Sequence, residues 1–268
     1  MAIRFTVLAS GSTGNALMVR NEKATILIDA GLSAKKLEQL MAEREVAATD
    51  IDAVFITHEH SDHIKGLGAL CRKYRLPVYA NEATWEELDR LVGELPPESR
   101  HRLDTGAVTE IGTLGIQSFA LSHDAAEPVG YCFYDKEEKL GLATDLGYMS
   151  EKVKEQLQNC DVLVLEANHD IELLRLGKYP WNIKRRILGD KGHLSNDAAA
   201  EAMADLVSGR LKRVYLAHLS KDHNMLDLAR LTVSGIMEQH GIYCGDNGPV
   251  LMDTYPDRPT AWDWLQED

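Results

Sequence analysis

The sequence predicts an α/β protein of two packed sheets with helices outside. Strand-like apolar runs and helical patterns mix along all 268 residues. The strands fall in two groups, each with helices before and after it. No low-complexity linker interrupts the chain, so it reads as one domain, 1–268, whose two halves meet near residue 150.

The elements justify this in order. Met1 to Ala9 reads as a first strand and leads into the turn-rich Ser10-Gly11-Ser12-Thr13-Gly14-Asn15. Ala16 to Arg20 and Thr25 to Asp29 follow as strands, and Ser33 caps a helix running to about Arg44. Ile51 to Thr57 is a buried strand, Ile64 to Cys71 can open a helix, Pro77 to Ala80 is a short strand and Thr84 to Val92 a helix. Ile116 to Ser122, Gly130 to Tyr134 and Lys139 to Thr144 are strands, the last two joined by a charged turn. In the second half, Ser150 caps a helix, Asp161 to Glu166 is a buried strand, and Ser195 caps the Ala-rich helix Asp197 to Val207. Val214 to Ala217 is a strand, Leu226 to Gln239 a helix, and Asp246-Asn247-Gly248 signals a final hairpin.

Composition bounds the function. A hydrophobic fraction of 44% and a charged fraction of 26% are those of an ordinary soluble globule. The net charge of −13 offers no general attraction for nucleic acid. Cys71, Cys132, Cys160 and Cys244 are widely spaced and suit packing in a reducing compartment. The first residues are too soon interrupted to form a signal peptide, and no apolar stretch approaches the ~20 residues that span a bilayer. A cytoplasmic protein is expected, with no membrane association and no obligate protein partner.

The chemistry concentrates in His58-Glu59-His60-Ser61-Asp62-His63, directly after the buried strand. In an extended chain His58 and His60 face the same side. After the bend, Asp62 and His63 can face a second point close to the first. Imidazole and carboxylate are ligands for borderline divalent metals, and this spacing suggests two adjacent ions. Three further candidates each end a strand: His123, Asp145 and His218. With the cluster they make His58, His60 and His123 one set and Asp62, His63 and His218 the other, bridged by Asp145.

The His-x-His-x-Asp-His cluster followed by a separate His, Asp and His resembles the metallo-β-lactamase fold superfamily over nearly the whole chain. Leu8 to Asn15, Thr144-Asp145-Leu146-Gly147-Tyr148 and His218 to Asn224 resemble its YycJ/WalJ group. The resemblance implies a four-layer αββα sandwich, a dinuclear centre and 5′→3′ exonuclease activity on DNA. All seven ligand positions hold the expected residue type. Asp29 matches an aspartate that orients a ligand or loop by hydrogen bonding. All-nitrogen-and-oxygen ligation fits Zn, Mn or Fe.

Two adjacent ions can hold a bridging hydroxide at neutral pH and stabilise both the attacking and the leaving oxygen. The leaving alkoxide then needs a proton. Glu166 and His193 resemble the pair used by tRNA 3′-processing nucleases of the superfamily, although the residues around them differ. With Asp62 they are the expected catalytic residues. His193 also precedes a helix N-terminus, where amides and the helix dipole favour phosphate.

Substrate contacts are expected from Ser12 and Asn15 in the turn-rich loop, and from His223. Residues 175–191 carry a net charge of +5 against the acidic average, with Tyr179 and Trp181 interleaved. Lys184, Arg185 and Arg186 within it are expected to grip the backbone of DNA. The alternatives are a small-molecule metallo-hydrolase acting on a cyclic phosphodiester, thioester or lactam, and a metal-stabilised regulatory binding protein.

Overall fold

Strands β1 (Arg4–Ala9), β2 (Ala16–Arg20) and β3 (Thr25–Ile28) form an antiparallel start to the chain, buried along almost every residue. The computed structural model describes residues 3–265, so Met1 and Ala2 of the expected first strand lie outside the described residues. Among the described residues the strands make two seven-stranded sheets, the α/β class expected. The chain divides into two units. One comprises the chain up to Ala120, with Ala125–Glu138 and the segment from Tyr255 onward; the other comprises Leu121–Asp124 and Lys139–Thr254.

In the first unit, α1 (Ala34–Ala42) begins where Ser33 Oγ accepts a hydrogen bond from Lys36 N, at 3.3 Å. β4 (Ala53–Phe55) is wholly buried and pairs parallel to β3. The short α2 (Ser61–Ile64) and α3 (Leu67–Tyr74) follow, then β5 (Val78–Ala80), and α4 (Glu82–Leu91) capped by Asn81. β6 (Arg100–Arg102) pairs with β5, and β7 (Val108–Ile111), β8 (Leu114–Ala120) and β9 (Val129–Asp135) make an antiparallel meander. The core here joins Leu8, Met18, Leu27 and Val54 of the strands to Leu37, Leu70 and Trp85 of the helices. Apolar side chains at helical spacing dictate that face.

The second unit is built on four parallel strands: β10 (Glu138–Ala143), β11 (Val162–Glu166), β12 (Arg213–Ala217) and β13 (Val250–Asp253). Between them lie α5 (Glu151–Leu157), α6 (Ile171–Leu176), α7 (Trp181–Ile187), α8 (Asn196–Leu206) and α9 (Leu226–Gln239). The last strand among the described residues, β14 (Asp263–Trp264), belongs to the first unit and pairs with β1.

Register decides what the carboxyl ends present. Ala143 lies opposite Leu165, and Leu165 opposite Leu216. Asp145, Glu166 and His218 therefore leave their strands along one edge, where a parallel sheet exposes functional groups. Likewise Ile28 opposite Phe55 sets Asp29 beside Thr57.

The expected final hairpin does not form. Asn247 Oδ1 instead accepts the Tyr243 N–H at 2.7 Å and closes its own loop, while β13 pairs parallel with β12. Among the described residues no helix is long and apolar enough to cross a membrane.

Candidate metal centre

The first-unit donors hang on one carboxylate. Asp29, held at φ +60°, accepts from Thr57 N at 2.9 Å through Oδ1 and from the Thr57 hydroxyl at 2.8 Å through Oδ2. Its Oδ2 also lies 2.7 Å from His63 Nδ1, so that nitrogen carries the proton and Nε2 keeps the lone pair. His58 Nδ1 sits 3.0 Å from Thr57 Oγ1, whose own proton is committed to Asp29; His58 is thereby set in the same tautomer. Metal-bound histidines require this support. The rings of His58 and His60 are 4.6 Å apart and those of His58 and His63 4.1 Å. Asp62 Oδ2 is 3.7 Å from His63 Nε2.

The backbone fixes the loop that carries these groups. Ala30 N donates to His63 O at 2.7 Å, and Asn15 N to Asp62 O at 2.8 Å. Asn15 is buried, and its amide points at Asp62 and at His63 Nε2, 3.1 Å away. Ser12 is exposed in the same loop. Glu59, a cluster member with no expected role, accepts from Ala126 N at 2.8 Å.

The second-unit donors converge on Glu166, which is fully buried. Its Oε2 accepts from Leu146 N and Leu194 N, both at 3.0 Å. Its Oε1 accepts from His193 Nδ1 at 2.8 Å and His218 Nδ1 at 2.9 Å. Burial opposes its ionisation, but the His193 charge and the hydrogen bonds from His193 and His218 prevail and hold its pKa at about 2. For His193 burial likewise disfavours the cation, and the charge and hydrogen bond of Glu166 outweigh it, raising the pKa above the usual histidine value.

Asp145 and His218 both adopt positive φ, +62° and +55°, with Asp145 Oδ1 3.4 Å from His218 Nδ1. His123 Nδ1 donates to Gly192 O at 3.0 Å, which leaves the lone pair on Nε2; burial pulls its pKa down and favours the neutral ligand form. In the second unit Asp145, Glu166, His193 and His218 each offer a ligand atom within 4.8 Å of the others. Imidazole nitrogens and carboxylate oxygens are the donor chemistry of a divalent cation, so the residues present fit one.

The basic stretch is less uniform than its sequence. Lys184 is buried, and its ammonium donates to Arg175 O and Gly177 O, both at 2.6 Å, closing the end of α6. Arg186 pairs with Asp124, and Arg175 with Glu172 at 2.9 Å. Lys178, Arg185 and Lys191 are exposed. The expectation of a Lys184 grip on DNA is corrected accordingly: its charge is spent on α6. Lys184→Ala is expected to lower unfolding free energy by about 1 kcal/mol through two part-buried carbonyls that lose their ammonium donor. Its salt dependence of nucleic-acid binding should match the unaltered protein's; a flattened slope would restore the grip.

His223 is buried with its ring 4.4 Å from that of Tyr179, and His169 is buried with its pKa pushed down to about 4 by that burial. Sequence reading missed Thr57 and Asn168. Asn168 Nδ2 donates to His218 O at 2.8 Å and so steadies a residue at positive φ. Thr57 carried a weak signal as the residue between strand and cluster; Asn168 carried none.

Three comparisons bear on this arrangement. The family model described as "Beta-lactamase superfamily domain" matches residues 24–219. "Exodeoxyribonuclease YycJ" of Bacillus anthracis is 48% identical over 260 residues, covering 97% of this chain and 98% of that protein. "Exodeoxyribonuclease WalJ" of Streptococcus pneumoniae is 42% identical over 262 residues, covering 97% of each. The metallo-β-lactamase fold protein YhfI from Bacillus subtilis shares the fold, with a TM-score of 0.73 at 16% identity over 97% of this chain and 99% of that one. The chain belongs to the β-lactamase superfamily, in the group that contains YycJ and WalJ.

Proposed function

We propose that the protein is a metal-dependent phosphodiesterase that digests DNA from an end, in the 5′→3′ direction. The observation that carries the chemistry is His193, partly exposed, with its cation favoured by the buried Glu166 in the same unit as Asp145 and His218. Near-full-length likeness to two exodeoxyribonucleases supports DNA as the substrate.

Two divalent ions, drawn from Zn, Mn or Fe, would be shared out as the motif orders the donors: His58, His60 and His123; Asp62, His63 and His218; Asp145 common to both. When bound, such ions lower the pKa of water and offset charge on the phosphoryl oxygens. Asp29 and Thr57 orient the imidazoles of His58 and His63 by holding their Nδ1 protons. His193 supplies the proton at the leaving oxygen, and Glu166 keeps it charged until then. Arg185 and Lys191, both exposed, lie on the segment that attracts the phosphate chain.

End-labelled single-stranded DNA, duplex DNA and RNA, given to the protein with Zn or Mn beside generic phosphodiester and thioester substrates, test this. Hydrolysis of DNA is expected, and Asp62→Asn should abolish it with the thermal midpoint of the fold unchanged. Activity surviving in Asp62→Asn would overturn the metal mechanism. Turnover confined to the small substrates would overturn the choice of DNA.

A further inference from the structure

A cleft of 540 Å³ opens in the second unit among the loops that follow β11 and β12. Its size falls within the roughly 300–1,000 Å³ of small-molecule sites. The apolar side is Leu173, Leu176 and the ring of Tyr179, with His223 packed against that ring at an interplanar angle of 72°. Leu176 is 84% exposed, an apolar surface that nothing in the described chain covers. Gly177 builds the inner wall: a Cβ there would lie 2.2 Å from His223 Nε2, so backbone rests directly on the imidazole.

Two polar groups complete the lining, Lys178 and Asp222. The Tyr179 hydroxyl donates to Asp222 Oδ2 at 2.9 Å, which fixes both the ring and the carboxylate. A carboxylate at the wall repels a phosphate but accepts from an amino group, as acidic side chains do from the exocyclic amine of cytosine. Exposed Lys178 suits the phosphate next to such a base. Apolar and aromatic surface suits the base's face.

We propose that this cleft holds one amino-bearing nucleobase, adenine, cytosine or guanine, of a single-stranded nucleic-acid chain. The inference rests on the nucleic-acid reading above and adds a base subsite to it. Leu176 and Tyr179 cover the base face, Asp222 accepts from its amino group, and Lys178 meets the adjoining phosphate.

The test is equilibrium binding, by fluorescence anisotropy, of labelled oligonucleotides made hydrolysis-resistant with phosphorothioate linkages. Mixed sequences, oligothymidine and a series with one abasic position are compared across salt concentrations. For the unaltered protein, tighter binding of mixed sequence than of oligothymidine is expected, and one abasic position should cost about tenfold. Leu176→Ser, at a site too exposed to disturb folding, should cost about tenfold with an unchanged salt slope. The abasic penalty should then vanish in that variant. Asp222→Asn should remove the discrimination against thymine. Wild-type affinity and preference in both variants, with DNA still bound, would overturn the subsite and leave the nuclease reading standing. Failure of the unaltered protein to bind any oligonucleotide would overturn both.

Discussion

Glu166→Ala is expected to destabilise the fold by about 3–5 kcal/mol and to lower the rate of hydrolysis by about 10²- to 10⁴-fold. Four donors converge on that carboxylate from three different segments: Leu146 N, the adjacent His193 Nδ1 and Leu194 N, and His218 Nδ1. Removing it leaves two buried amides without an acceptor and the His193 imidazole without the counter-charge that favours its cation. Chemical denaturation and single-turnover kinetics measure the two losses separately.

Glu166→Gln separates charge from shape. A glutamine can still accept from the two amides but no longer favours the imidazolium of His193. The pKa of His193 should therefore fall, and the alkaline limb of the kcat/KM profile should move to lower pH. An alkaline limb that stays in place would remove His193 as the proton donor. Stability carries the complementary signature. The Glu166 pKa is depressed from the ordinary 4.5 to about 2, so its contribution is present above that ordinary value. It is lost as pH falls from about 4.5 toward 2. His193 is raised, so its share is present at low pH and fades as pH climbs through the raised value. In metal-depleted protein the denaturation midpoint should fall away on both sides, and Glu166→Gln should blunt the acid side.

How legible was this site beforehand? The donors were readable because chemistry writes them locally. Six residues from His58 to His63 contain four of the seven expected ligands, and Asp145 and His218 each follow an apolar run. The strand register then carries Asp145 and His218 to a common edge of the second sheet, and register follows from parallel pairing of buried strands. What stayed hidden depends on approach between segments distant in sequence. The position of Lys184 inside a cationic run suggests a ligand contact, whereas its ammonium folds back onto the carbonyls of Arg175 and Gly177. A charge run does not say which of its stems are buried. The weak edge strands β6 and β14 were likewise unreadable, since two or three residues carry no period; pairing with β5 and β1 makes them strands. Asp246-Asn247-Gly248 had hairpin chemistry, and a side-chain bond to Tyr243 N used it to close a loop.

Gly31→Ala is expected to reduce metal affinity by about 10- to 100-fold and the rate by about 10²-fold or more, an effect arising wholly from backbone packing. A Cβ at Gly31 would stand 1.7 Å from Asp62 O and 2.5 Å from Asn15 N. Those two atoms are themselves joined by a 2.8 Å hydrogen bond, and Gly31 N donates to Asn15 O at 2.9 Å. The three nearest atoms to the added carbon are main chain, so no rotamer change relieves the clash. The segment bearing Asp62 and His63 must move away from Asp29, which lies two residues from the substitution and holds His63 Nδ1. Such overpacking costs about 1–3 kcal/mol in stability, too little to unfold most domains. The folded variant should thus survive with its donors displaced. Competition with a chromogenic chelator measures the affinity, and thermal denaturation the stability. Gly209→Ala, where an added Cβ meets nothing within 4 Å, is the matched control and should behave as the unaltered protein. Wild-type affinity in Gly31→Ala would mean that the close approach of Gly31 to Asp62 does not position the ligands.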